Sequence, residues 1–97
     1  MNVITNSTAE LDFLEALSYY KKISYKLASQ FVDQVEATKK RIAKNPLQIP
    51  IKYDTIRVVL LKQFPYHIHF FIDSNKNSIV ILAIVFAGKK TTNYKKR

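Results

Sequence analysis

The sequence predicts an α+β domain: an N-terminal strand and an antiparallel helical hairpin, packed on a mostly antiparallel sheet of three to four strands. Three observations carry this prediction. Residues 7–44 repeat apolar side chains at steps of three and four, residues 56–86 hold three strand-length apolar runs, and only the short link Ile23-Ser24 interrupts the helical part. So short a link makes the two helices antiparallel neighbours, and their joint apolar face needs a sheet to cover it.

Asn2 to Thr5 reads as a short extended segment. Ser7-Thr8-Ala9-Glu10 has the S-x-x-E form of a capping box and places a helix start at Ser7. Phe13, Leu14, Ala16, Leu17 and Tyr20 follow at helical spacing, with Glu10, Asp12 and Glu15 near the positive end of the helix dipole. The helix is expected to end near Lys22. Ser24 caps a second helix, in which Leu27, Ala28, Phe31, Val35, Thr38 and Ile42 share a face until Asn45-Pro46 stops it. Leu47 to Thr55, with Pro46 and Pro50 close by, reads as irregular chain. The three strands are then Ile56–Phe64, Tyr66–Ile72 and Ser78–Phe86, and Asp73-Ser74-Asn75-Lys76-Asn77 turns the last two into a hairpin.

In the middle strand, Tyr66, Ile68, Phe70 and Ile72 fall on one face and His67, His69 and Phe71 on the other. The last strand does not alternate: Ile79 through Phe86 is apolar on both sides. A helical hairpin covers one face of a single sheet, so the apolar surface on the other face calls for a cover, from a partner protein, from a second copy or from the C-terminal residues.

At 97 residues and 47% hydrophobic content, the chain fits one domain spanning residues 1–97, with a basic tail at about 89–97. Without cysteine there is neither a disulfide framework nor a thiolate metal site. The N-terminus has no basic segment followed by a long apolar run, and Ile79–Ala87 is too short to span a bilayer, so a cytoplasmic protein without membrane insertion is expected. Residues 1–20 carry a net −3, whereas residues 21–97 carry all 16 basic residues against four acids. A field of that sign attracts nucleic acid, acidic protein or anionic lipid without choosing among them.

His67 and His69 are placed to share a metal, but a third ligand is missing, so neither metal nor cofactor is expected. No nucleophile elbow is present, and the lone Gly88 excludes a glycine-rich phosphate loop. The tail sets Lys89, Lys90, Lys95, Lys96 and Arg97 around Tyr94. Lysines neutralise phosphates and tyrosine stacks on unpaired bases, so Lys89, Lys90 and Tyr94 are candidate target- or nucleic-acid-binding residues.

In this order of elements the chain resembles the RelE/ParE superfamily of type II toxin–antitoxin toxins, which includes proteins called plasmid stabilisation factors. The residues that carry the resemblance are Ala9-x-x-Asp12-x-x-Glu15-Ala16 with Tyr19-Tyr20, Leu27-Ala28-x-x-Phe31, Lys44-Asn45-Pro46, Ile56-Arg57-Val58, Phe64-Pro65-Tyr66-x-Ile68 and Ile81-Leu82-Ala83-Ile84. It implies a cytoplasmic bacterial toxin neutralised by a cognate antitoxin that wraps it. A homodimer, or a heterotetramer with the antitoxin, is the assembly it allows.

Two branches of that superfamily differ in target. ParE-like members inhibit DNA gyrase, and their signature is kept in Arg57, a target-binding candidate, and in Phe64-Pro65-Tyr66; their histidine and basic-aspartate-proline run is replaced here by Phe86 and Lys89-Lys90-Thr91. RelE-like members are metal-independent, ribosome-dependent mRNA endoribonucleases. Val58 and Leu60 stand here at the positions of their first-strand lysines, His67 where they have an arginine, and Tyr94 near their terminal tyrosine. The resemblance therefore implies a ParE-like toxin first. The alternative is a RelE-like nuclease with His67 and Tyr94 as catalytic residues, and a third reading is a degenerate, non-toxic binding module.

Overall fold

The computed structural model describes residues 1–87. Strand β1 (Asn2–Thr5) leads into helix α1 (Ser7–Ile23), which turns at Ser24 into helix α2 (Tyr25–Lys44). A 3-10 turn at Pro46–Gln48 precedes β2 (Ile51–Tyr53), β3 (Ile56–Leu60), β4 (Tyr66–Asp73) and β5 (Ser78–Phe86). The strands form a single sheet in the order β1-β5-β4-β3-β2, antiparallel throughout except for the parallel β1–β5 pair.

The α+β class and the helical hairpin match the sequence reading, while the sheet has five strands rather than three to four. The added strand is β2, inside the stretch read as irregular. Pro46 and Pro50 frame it, and a tight turn with Asp54 in the left-handed region (φ 48°) folds it onto β3. Strand β3 ends at Leu60 instead of Phe64. Beyond it the chain bends at Gln63 (φ 69°), and the Leu61 N–H returns to the Tyr66 carbonyl.

Both helix starts are capped by side chains. The Asn6 carboxamide accepts from the Ala9 N–H at 2.9 Å, so the cap lies one residue before the predicted Ser7. Asn6 is fixed there because its own N–H bonds to the Ile81 carbonyl at the end of β1, and asparagine caps as well as serine. Ser24 caps α2 as its sequence predicts, accepting from the Leu27 N–H at 2.9 Å, while its own N–H closes α1 on Tyr20.

The helices cover one face of the sheet, and the core lies between them. Phe31, Val35 and Ile42 of α2 are fully buried with Ile68 and Phe70 of β4 and Ile79 and Ile81 of β5. The Phe31 ring is the meeting point, with ring centres 5.8 Å from Phe13, 5.1 Å from Tyr20, 5.3 Å from Phe64 and 5.5 Å from Tyr66. These pairs tie both helices to the β3–β4 loop and to the start of β4.

The lack of alternation in β5 has a backbone cause. His69 lies opposite Ala83 but Phe70 lies opposite Ile81, so Leu82 is an extra residue. Such a bulge shifts the side-chain parity by one. Ile79 and Ile81 face the helices before it and Ile84 after it, all three buried.

Removing the central ring tests this packing. Phe31→Ala is expected to lower unfolding free energy by about 3–5 kcal/mol in urea denaturation, and a loss below about 1 kcal/mol would contradict the placement of Phe31.

Candidate functional site

The sheet face away from the helices holds the chemistry. Alternation along β4 puts His67 and His69 there, and the β3 register sets Leu60 opposite His67 and Val58 opposite His69. The β2–β3 turn brings Tyr53 over the same surface, where its hydroxyl and His69 Nδ1 share a hydrogen bond of 3.1 Å. Lys52, Tyr53, Asp54, Val58, Leu60, His67 and His69 line an open concavity of about 860 Å³. The two imidazole rings meet edge to face, with centres 6.2 Å apart.

Both histidines have pKa values below the ordinary 6.5. For His67 the main cause is burial, with the nearby Lys52 charge adding to it. For His69 burial again leads and His67 adds to it, while Asp12 acts in the opposite direction. Near pH 7 both rings are therefore neutral, fit to accept a proton or a hydrogen bond and carrying no charge for a phosphate. Among the described residues, Lys52 is the one lysine lining this concavity.

The sequence candidates do not all converge. Arg57 lies opposite Phe70 on the helix-facing side, half-buried, and its Nη1 donates to the Ile49 carbonyl at 2.6 Å. It anchors the segment leading into β2 and does not share a face with His67. Lys89, Lys90 and Tyr94 lie outside the described residues. Among the described residues no group of three His, Asp or Glu side chains is placed to hold a metal ion. Tyr53 is an addition that the sequence reading does not make; it joins His69, which the sequence offers only beside His67 as a metal ligand. Strand β2, three residues long, is too short for its alternation to announce a strand.

A helical hairpin laid on one face of a five-stranded, mostly antiparallel sheet is an α+β architecture, with the element order that the resemblance to the RelE/ParE superfamily leads one to expect. Among solved structures, a chain of the "Chromosomal ParDE TA system from P. aeruginosa" matches with a TM-score of 0.78 at 20% sequence identity, over 90% of this chain and 96% of that one. A likeness at that identity establishes the fold. No family model matches the sequence, and no curated protein matches it.

The depressed histidine values give a pH dependence of defined sign. Below 6.5 the unfolded chain takes up protons before the folded one does, so stability present at neutral pH is lost as pH falls. Thermal melting is expected to drop between about pH 7.5 and pH 5.5, and the slope to shrink in His67→Gln/His69→Gln. An unchanged slope in the double variant would show that the two rings are not the groups responsible.

Proposed function

We propose that this chain is the toxin of a type II toxin–antitoxin system, ParE-like, which arrests growth by binding a cellular target such as DNA gyrase and is neutralised by a cognate antitoxin. The observation that carries the reading is the likeness to a chain of the ParDE TA system over nearly the full length of both chains. The concavity adds a reason to prefer a binding toxin over a nuclease. Val58 and Leu60, where RelE-like enzymes carry lysines, line it with hydrocarbon and cannot stabilise a pentavalent phosphate. In this reading the cationic stretch with Lys89, Lys90 and Tyr94 contacts the target, while Arg57 holds the Ile49 carbonyl ahead of β2. In this reading the target, and with it the protein, is cytoplasmic. Among the described residues no helix is long and apolar enough to cross a membrane.

The neutral histidine pair supports a second reading, that of a ribosome-dependent mRNA endoribonuclease. A neutral His67 accepts the proton of a ribose 2′-OH as that oxygen attacks phosphorus, Lys52 meets the growing negative charge, and Tyr94 protonates the departing 5′-oxygen. The products are a 2′,3′-cyclic phosphate and a 5′-hydroxyl, with no metal required.

Induced expression in bacteria distinguishes the two. The ParE-like reading expects growth arrest, relaxed plasmid DNA and intact mRNA, with arrest weakened in Lys89→Ala/Lys90→Ala and reversed by the antitoxin encoded alongside. Cuts at codon boundaries that vanish in His67→Ala and Tyr94→Phe would replace it with the nuclease. Unimpaired growth with abundant folded protein would contradict both.

A further inference from the structure

Strand β1 runs beside β5 only from Ser78 to Ile81, and from there on α1 lies along that side of β5. Between them is a groove of about 410 Å³, lined by Asp12, Glu15 and Tyr19 of α1 and by Ala83, Ile84 and Val85 of β5. One backbone group shows what this edge is built to receive. The Ile84 N–H points away from β4 and donates to Asp12 Oδ2 at 3.0 Å. The Ile84 carbonyl lies on the same side, because both backbone groups of one strand residue face the same neighbour. Asp12 thus occupies the position of a peptide carbonyl on an adjacent strand.

The charge of the groove is opposite to that of the protein. Asp12 and Glu15 line it in a chain of net charge +9, so it disfavours a polyanion and attracts a cation. From Leu82 to Val85 the strand runs about 13 Å, and within it Ile84 turns its backbone groups to this side, enough to seat a short extended segment. We propose that this groove binds an extended peptide segment of a protein partner, which pairs with β5 beyond Ile81, displaces the Asp12 carboxylate from Ile84 and sets a lysine or arginine against Asp12 and Glu15. Backbone bonds supply the affinity and the two carboxylates the selectivity. The groove stands on its own geometry. Where the toxin reading holds, its occupant is a segment of the antitoxin, and the test below does not depend on toxicity.

The probe is a dye-labelled, end-blocked nine-residue peptide alternating valine with lysine and threonine, titrated into the full chain by fluorescence anisotropy and by amide NMR. Saturable binding with the largest shifts at Ile84 and its neighbours is expected. Replacing the probe's lysines by glutamate, or combining Asp12→Asn with Glu15→Gln, should weaken binding about tenfold, and N-methylation of the probe's pairing amides should abolish it. The carboxamide introduced by Asp12→Asn keeps an oxygen for the Ile84 N–H, and Glu15→Gln alone, at an exposed position, gives the same direction of change without touching the backbone bond. Equal affinity for the lysine and glutamate probes would overturn the proposal. So would shifts centred on Val58 and His67, or an Ile84 edge already paired with residues that follow Ala87.

Discussion

The aromatic junction around Phe31 is the constraint on which the rest of the structure depends. Its fully buried ring touches rings from α1, the β3–β4 loop and β4, so one side chain fixes how three separate parts of the chain meet. Phe64-Pro65-Tyr66 supplies two of those rings. Proline sets the backbone between them, and the Pro65 carbonyl accepts the Ala87 N–H at 2.7 Å, which ties the end of β5 to the same junction. Aromatic pairs in edge-to-face contact add about 0.5–1.5 kcal/mol each beyond burial, so the junction is strong as well as directional.

This junction commits one face of the sheet to the helices and thereby decides what is left for function. The other face carries the neutral histidines with Tyr53, among half-buried apolar side chains such as Val58, Phe71 and Val80. The β5 edge beside α1 carries the acidic groove. A basic protein with an acidic notch and an uncharged histidine pair separates its surfaces by charge. Arg57, prominent in the sequence, lies on the helix-facing side and donates to the Ile49 carbonyl.

Much of this was legible in residues alone. The helical hairpin follows from periodic apolar positions and from Ser24, and the β4–β5 hairpin from its polar turn, because these signals are local. What stayed hidden depends on contacts between distant residues. Tyr53 and His69 are 16 positions apart, and β2 is too short to show a period of its own. Asn6 outranks Ser7 as a cap only because β5 holds its backbone. The apolar run in β5 was read as two covered faces; part of it is the parity shift at Leu82, which periodicity counted over a regular strand cannot reveal. The sequence likewise places Asp12 on α1 but does not show that it bonds to Ile84, 72 positions away.

The central claim is that the helices and the sheet form one cooperative unit through the Phe31 junction, leaving the outer face and the β5 edge as working surfaces. Native-state hydrogen exchange tests it most directly. The account predicts that the amides of Phe31, Ile68 and Phe70 exchange only through global unfolding and with equal free energies, while amides of the β2–β3 turn at Asp54 and Thr55 exchange through small local openings. Helix α2 exchanging well before β4, with Phe31 poorly protected, would contradict it.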